Sequence, residues 1–314
     1  MTPFTDLVGC SLPIQQAAMS RIATPALAAA VSNAGGLGML AVGRPTREAV
    51  LAELDTVAEL TDRPVGAGFV VEFLDPAILE AVAERLPVVE FFWGRPDAGV
   101  LPDGPICGWQ VGSVDEARQA IDAGCRYVIA QGVEAGGHVR GTLPLTELVP
   151  AVVEVADRAG VAVVAAGGIG TAADVRAALA LGAHAVRIGT RFVATDESDA
   201  HERYVERLAA ADADDTVLTE AFEVSWPNAP HRVLASCVAA AADAAPGPVA
   251  YVDEATGSTP LDRYGTRPPT RWTRGDIDAM AMYAGQGVGA VRGRVPVAAL
   301  IAELMAELVG GAAT

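Results

Sequence analysis

The segment VAVVAAGGIGTAADVRAALALGAHAVRIGTRF (residues 161–192) runs from an apolar strand through a glycine turn and an alanine-rich helix into a second apolar strand. Two strands joined by a helix through short links form the parallel βαβ unit. A second stretch has the same order: AIDAGCRYV (residues 120–128) matches ALALGAHAV (residues 178–186), each running helix, glycine, short link and strand. A repeated βα unit predicts a sheet built by repetition.

Extending the pattern in both directions predicts an α/β fold, a (β/α)8 TIM barrel. The predicted strands are Pro13–Ala17, Gly38–Val42, Val65–Val70, Val88–Trp93, Ile106–Val111, Tyr127–Gln131, Val161–Ala165 and Ala185–Ile188. The predicted helices are Thr24–Asn33, Arg47–Leu60, Pro76–Arg85, Val114–Ala123, Leu145–Arg158 and Ala172–Leu181. Eight strands within this length fit a closed barrel better than an open sheet. The short link from Trp93 to Pro105 predicts one unit with a short or missing helix.

The pattern changes after Thr195, where Ala, Asp, Pro and Arg become frequent. We therefore predict that residues 1–195 and 276–314 form the barrel. Residues 196–275 are predicted to be an inserted, mainly helical accessory region over the barrel mouth. The segment from Ile277 onward is predicted to return to helix.

Composition excludes several classes of partner. The formal net charge of −17 would repel nucleic acid and anionic membranes, so neither is expected as a partner. No apolar run approaches the length of a membrane span, and no signal peptide is visible at the N-terminus. The four cysteines form no CxxC pair, so we expect no metal site and a reducing, cytoplasmic location.

Two glycine elements indicate a phosphate site. AAGGIG (Ala165–Gly170) and RIGTRF (Arg187–Phe192) end two consecutive predicted strands. Glycines at a strand end let backbone N–H groups approach a phosphate, and barrels often hold one between the loops after their last two strands. The alternative is that both are tight turns only, but two such turns on consecutive strands favour the phosphate site.

A third element carries the candidate catalytic group. QGVEAGGHVRG (Gln131–Gly141) follows a strand directly and places His138 among four glycines. An imidazole at the mouth of a barrel can exchange a proton near neutral pH, whereas the alternative is a surface histidine on a flexible loop. The glycines allow a ligand to approach closely, which favours a functional role for His138 over a surface histidine. His231, in NAPHR, has no partner that the sequence identifies.

These elements together resemble the nitronate monooxygenase (2-nitropropane dioxygenase-like) flavoenzymes. PIQQAAMSRIATPALAAAVSNAGGLGML, QGVEAGGHVRG, AAGGIG and GTRFVATDES occur in the order of that family, and YAGQGVG (Tyr283–Gly289) resembles its C-terminal element. The resemblance implies an FMN cofactor, with His138 as the catalytic base. It also implies that the region 196–275 corresponds to the second domain that closes the active site.

The resemblance further implies the cofactor contacts. FMN phosphate would bind at Gly167, Gly168, Gly189 and Thr190; Gln131 and Gly136 would lie near the flavin, and the backbone at Ala18 and Met19 would line its ring. The complete predicted cofactor set is Ala18, Met19, Gly68, Gln110, Gln131, Gly136, Gly137, Gly167, Gly168, Arg187, Ile188, Gly189 and Thr190.

Three positions depart from the family pattern. Ala18 stands where the family usually has Pro, Gly68 lies near a position that is often Asn, and Gln110 stands where Lys is frequent. The last change removes a cation near the cofactor and is expected to alter the flavin potential.

The implied activity is oxidation of alkyl nitronates with O2 to a carbonyl compound and nitrite. In that reaction His138 would orient the nitronate or remove an α-proton from a nitroalkane. Two alternatives stay open at this point. One is an NAD(P)H-dependent FMN reductase of quinones or enoyl thioesters on the same barrel. The other is a non-catalytic flavin- or phosphate-binding protein, against which the position of His138 argues.

Overall fold

The fold is a ring of eight parallel strands with helices outside it. A computed structural model describes residues 1–42, 46–254 and 257–309. Around the ring the strands follow one another in the order 14–16, 185–188, 162–166, 127–131, 106–111, 88–92, 65–70 and 38–42. The ring closes where Gln15 of the first strand pairs in parallel with Leu37, just before the second. The predicted (β/α)8 barrel is confirmed.

The described elements have the following bounds. The strands are β1 (Ile14–Gln16), β2 (Gly38–Val42), β3 (Val65–Val70), β4 (Val88–Phe92), β5 (Ile106–Val111), β6 (Tyr127–Gln131), β7 (Gly137–His138), β8 (Ala162–Ala166), β9 (Ala185–Ile188), β10 (Thr216–Thr219), β11 (His231–Leu234), β12 (Pro248–Glu254), β13 (Gly257–Asp262) and β14 (Thr273–Gly275). The helices are α1 (Pro3–Val8), α2 (Pro25–Asn33), α3 (Arg47–Leu60), α4 (Pro76–Ala83), α5 (Val114–Ala123), α6 (Leu145–Ala159), α7 (Ala172–Ala180), α8 (Thr190–Val193), α9 (Glu202–Ala209), α10 (Ala235–Asp243) and α11 (Val297–Val309).

The barrel strands lie where the sequence predicts them, with small differences at their ends. β4 stops at Phe92 because Trp93 adopts a φ of 64°, a left-handed conformation that a strand cannot continue through. The link after it contains only a short 3-10 turn, Ala98–Val100, as its length predicts. A side-chain hydroxyl caps the start of several barrel helices, as Ser113 does for α5 and Thr171 for α7.

The barrel interior changes character along its axis. At the bottom, apolar side chains fill it, and α1 closes the opening through the edge-on contact of Phe4 with Tyr127, whose ring centroids are 5.5 Å apart. Nearer the carboxyl ends of the strands the interior is polar, with Glu90, Gln110 and Arg187 all buried. The carboxyl ends are where barrel enzymes build their sites.

The prediction that residues 196–275 are mainly helical needs correction. Their described part contains helices α9 and α10 but also strands β10 to β14. The alanine content of the region favours helix, yet short β-branched and aromatic runs such as HRVL and VAYVDE pair across strands instead. β11 pairs with both β10 and β7, so the accessory region reaches the loop that carries His138.

The C-terminal segment returns to the barrel after two 3-10 turns rather than as one continuous helix. Those turns span Ile277–Ala279 and Gln286–Ala290, and α11 then packs against α7 and α2. Of the predicted regions, positions 43–45, 255–256 and 310–314 lie outside the described residues. Within the described ranges, the helices are all too short or too polar to cross a membrane.

Candidate active site

The accessory region holds His138 in place over the barrel mouth. His138 ends the two-residue strand β7, in register with His231 of β11. From the barrel below, the side-chain amide of Gln131 donates a hydrogen bond of 2.8 Å from Nε2 to the His138 carbonyl oxygen. The predicted glycine-rich loop is therefore a fixed structure, pinned by a barrel strand on one side and by the accessory sheet on the other.

Aromatic rings surround the His138 imidazole. The Trp226 ring is stacked on it, with centroids 3.9 Å apart and an angle of 28° between the planes. The rings of Trp93, Tyr283 and His231 lie with centroids 6.0, 5.7 and 5.2 Å away. These four neighbours come from distant parts of the chain and form, with His138, what we call the aromatic cluster.

Burial keeps the imidazole of His138 neutral. Desolvation, and secondarily the neighbouring His231, lowers the pKa of His138 to about 3. His231 is neutral as well, because its Nε2 accepts a 3.2 Å hydrogen bond from the Phe222 N–H while its Nδ1 lies 2.8 Å from the Ala229 carbonyl oxygen. Burial lowers the pKa of His231 too. His138 Nε2 is itself buried and has no hydrogen-bond partner among the described residues.

The first glycine element forms a tight turn between β8 and α7, packed against the loop at 132–135. Gly167 and Gly168 have φ values of 130° and 68°, conformations that favour glycine. Asp174 of α7 accepts hydrogen bonds of 3.0 and 2.9 Å from the N–H groups of Gly170 and Thr171. With those two N–H groups engaged, Gly167 and Gly168 are the positions of this turn left to approach an anion.

The second glycine element lies beside it, between β9 and α8. Gly189 precedes the four-residue helix α8, whose first residue is Thr190. The Thr190 hydroxyl oxygen accepts a 3.0 Å hydrogen bond from the Gly285 N–H, which leaves its own proton free for donation. The YAGQGVG segment therefore orients a residue predicted to bind phosphate. Ile188 is fully buried in the barrel core, so only its backbone faces this loop.

The loop after β1 lies between these glycines and β3. A Cβ on Gly68 would come within 2.6 Å of the Ala18 Cβ, and one on Gly189 would be 3.6 Å from the Met19 sulfur. Gly68, Ala18, Met19 and Gly189 therefore lie together at the mouth. Gly136 packs closely on the C-terminal segment, because a Cβ there would clash with the backbone at Gly285.

A buried ion pair lies inside the barrel, below the mouth. The Arg187 guanidinium contacts the Glu90 carboxylate and donates hydrogen bonds of 3.1 Å to Gln15 Oε1 and 2.6 Å to Gln110 Oε1. Gln15 Nε2 and the Tyr127 hydroxyl donate to the other Glu90 oxygen over 3.0 and 3.1 Å. Burial lowers the pKa of Arg187 to about 9, which leaves it charged at neutral pH. The predicted cofactor residues Gln110 and Arg187 thus bind each other.

The geometry fits a flavin mononucleotide. Two glycine turns on neighbouring strands lie side by side, as a phosphate site requires, and two buried polar atoms of β6 and the loop after it, Gln131 Oε1 and His138 Nε2, have no partner among the described residues. Gly137, whose φ is 77°, has open space where a Cβ would be. The prediction did not include Trp93, Trp226, Tyr283 or Glu90. Only Glu90, a lone charge inside an apolar strand, left a signal that sequence reasoning could have used.

Fold and candidate site define a class: a (β/α)8 barrel with a candidate histidine site at the carboxyl ends of its strands. The family model described as nitronate monooxygenase matches residues 1–99 and 101–307. The nitronate monooxygenase of Pseudomonas aeruginosa is 33% identical, and the match covers 98% of this chain and 99% of that protein. The chain therefore belongs to the nitronate monooxygenase family, whose members are generally flavin-dependent.

Two solved structures share the whole architecture. FabK from Thermotoga maritima superposes with a TM-score of 0.81 at 30% identity, covering 99% of this chain and 97% of that one. A nitroalkane oxidase from Streptomyces ansochromogenes superposes with a TM-score of 0.74 at 29% identity, covering 99% of both chains. These matches agree with an oxidoreductase enzyme acting on a small molecule.

Proposed function

We propose that this protein is an FMN-dependent enzyme that oxidises alkyl nitronates with O2 to a carbonyl compound and nitrite. The observation that carries the proposal is the neutral His138 imidazole, whose Nε2 has no partner among the described residues, next to two glycine turns. The P. aeruginosa relative and the Streptomyces nitroalkane oxidase support the choice of substrate.

The residues that would hold FMN fall into two groups, those that bind its phosphate and those that lie along its ring. Gly167 and Gly168 would offer backbone N–H groups to the phosphate, together with Gly189, and the Thr190 hydroxyl would donate to it. The loop at Ala18 and Met19 would lie along the ring. When bound, FMN supplies the redox chemistry, by taking electrons from the substrate and passing them to O2.

The state of His138 favours a nitronate over a neutral nitroalkane as the substrate. A base whose conjugate acid has a pKa of about 3 is poorly matched to removing a proton from carbon near neutral pH. A nitronate has already lost that proton. A neutral imidazole can instead hold a nitronate oxygen by donating a hydrogen bond from Nε2, while the Gln131–His138 contact fixes the loop.

Residues 196–275 would serve as the cover of this site. β11 of this region pairs with β7, and Trp226 and His231 contact the His138 ring. Excluding water in this way strengthens the hydrogen bonds inside. The rest of the chain, residues 1–195 and 276–314, would form the barrel.

A second candidate is the NAD(P)H-dependent reduction of quinones or enoyl thioesters, which the match to FabK favours. Anaerobic mixing of the flavin-loaded protein with a nitronate, NADH or NADPH separates the two. We expect the nitronate to bleach the flavin absorbance and the nicotinamides to leave it unchanged. Rapid bleaching by NADH or NADPH, with none by the nitronate, would establish the reductase instead.

The purified protein is expected to be yellow and to release FMN, not FAD. The two glycine turns together would form a binding site for one phosphate. No second nucleotide-binding motif is visible in the sequence. Chromatography of the supernatant after heat denaturation identifies the flavin. A colourless protein that cannot be reconstituted with added FMN would contradict this assignment.

The Gly168→Asp substitution is expected to weaken FMN binding severely. The new carboxylate would lie roughly 4 Å from the phosphate, which costs about 1 kcal/mol in water and about 4 kcal/mol at a partly buried site. The added Cβ would also come within 3.1 Å of the Glu134 Cβ. Flavin content per protein and the Kd of FMN for apoprotein measure the effect.

The matched control is Gly160→Asp, because Gly160 at the end of α6 has a φ of 67° against 68° for Gly168. Both substitutions strain the backbone alike, but a Cβ on Gly160 meets nothing within 4 Å. We expect Gly160→Asp to bind FMN normally. Equal flavin content in both variants would place the phosphate elsewhere.

A further inference from the structure

The rings that enclose His138 are held by unusual backbone conformations. Trp93 has a φ of 64°, and Ser225 and Asn228, which flank Trp226, have φ values of 77° and 55°. Each is a left-handed conformation that a residue other than glycine rarely adopts, and such strain persists where surrounding structure imposes it, most often at functional sites. The strain occurs here at Trp93 itself and at the residue before Trp226, and the two tryptophan ring centroids are 5.1 Å apart.

Trp226 is the ring in closest contact with the imidazole. Trp226 is 8% exposed, and the Phe73 ring packs edge-on against its indole, with ring centroids 5.1 Å apart. A bulky side chain at van der Waals distance from the imidazole removes water from that face. This contact contributes to the burial that lowers the pKa of His138.

The indole of Trp226 also has a buried polar atom to satisfy. Its Nε1 has no hydrogen-bond partner among the described residues, and the same holds for His138 Nε2 and Gln131 Oε1. Leaving a buried donor unsatisfied is unfavourable, so such groups call for an explanation. Because the two ring centroids are 3.9 Å apart, these two nitrogens belong to rings in direct contact, close enough together for one small group with two oxygens to reach both.

We infer that Trp226 is a substrate-binding residue: its ring shields the His138 imidazole from water, and its indole N–H donates a hydrogen bond to an oxygen of the substrate. The inference rests on the proposed function for the identity of that substrate, a nitronate. An indole N–H only donates and a nitronate oxygen only accepts, so the pair is complementary. His138 Nε2 would hold the second oxygen.

Two substitutions separate the two roles of Trp226. Trp226→Phe keeps an aromatic ring over His138 but removes the N–H, whereas Trp226→Ala removes both. Trp272→Phe is the matched control, because Trp272 is 61% exposed and lies outside the aromatic cluster. All three are prepared as full-length, FMN-loaded protein.

The first measurement is the pKa of His138 from an NMR titration, which requires no turnover. We expect a value that stays near that of the unsubstituted protein in Trp226→Phe and rises toward about 6.5 in Trp226→Ala. The other titratable rings that face His138, His231 and Tyr283, are unchanged in both variants. An unchanged pKa in Trp226→Ala would overturn the shielding role.

The second measurement is the concentration of ethyl nitronate that half-saturates anaerobic flavin bleaching. We expect it to rise about 10- to 100-fold in Trp226→Phe, as for a lost hydrogen bond to a charged group, and to stay unchanged in Trp272→Phe. Unchanged half-saturation in Trp226→Phe would overturn the donor role. If the unsubstituted protein does not respond to the nitronate, the proposed function and the donor role both fail, while the titration still decides the shielding role.

Discussion

The His138→Ala variant is expected to keep its flavin and to lose about 100- to 10,000-fold in turnover of a neutral nitroalkane. Nitroalkane oxidation requires removal of an α-proton, and the His138 imidazole is the candidate acceptor in the aromatic cluster, although burial makes it a weak base. Steady-state kcat/KM for nitroethane, with flavin content measured from the absorbance spectrum, gives the size of the effect.

The same variant should lose less on ethyl nitronate, which has no α-proton to lose and forfeits only its hydrogen bond to the imidazole. His138→Gln is the informative companion, because a side-chain amide can hold an oxygen but cannot accept a proton. We expect His138→Gln to recover nitronate turnover more fully than nitroalkane turnover. Equal losses on both substrates in both variants would show that His138 positions the substrate rather than acting as a base.

The two predictions are linked through the low pKa of His138. In the closed site His138 is a weak base, so nitroalkane turnover should already be slow in the unsubstituted protein relative to nitronate turnover. A kcat/KM for nitroethane equal to that for ethyl nitronate would contradict this, and would mean that substrate binding restores the basicity of the imidazole.

Local patterns predicted the barrel but not the surroundings of His138, the candidate catalytic residue. Strand and helix periods, and the glycines at strand ends, are properties of neighbouring residues, so the segment 161–192 was sufficient to indicate βα units. Trp93, Trp226 and Tyr283 contact His138 only through tertiary packing. The residues next to them in sequence do not indicate these contacts. The accessory strands were missed for a related reason, since strand pairing depends on partners far along the chain.

The ion pair inside the barrel also depends on contacts between distant residues, which the sequence pattern does not reveal. Gln110 and Arg187 were predicted as cofactor residues by resemblance, and the cation missing at position 110 was expected to alter the site. In the structure Arg187 supplies a cation that bonds directly to Gln110 Oε1 at 2.6 Å. A positive charge is therefore present beside position 110, on a different strand, and Glu90 balances it.

Replacing Glu90 with alanine is expected to destabilise the fold by about 3–5 kcal/mol, because it leaves the Arg187 guanidinium buried without a counter-charge. Glu90 is 3% exposed and Arg187 7%, so the pair lies out of contact with bulk water. The Gln15 and Tyr127 donors that now bind Glu90 would lose their acceptor as well. Urea unfolding followed by circular dichroism gives the free energy of unfolding.

Removing both charges distinguishes the contribution of the ion pair to stability from that of side-chain packing. The double variant Glu90→Leu with Arg187→Met replaces the pair by apolar side chains, and such replacements of a buried pair are often neutral or stabilising. We therefore expect the double variant to be more stable than Glu90→Ala, even though it carries more changes. The comparison uses Arg158→Met as a control, since Arg158 pairs with Glu154 on the surface, where ion pairs contribute little. If Glu90→Ala unfolds at the same urea concentration as the unsubstituted protein, the ion pair does not stabilise the barrel, and the charge of Arg187 is balanced in some other way.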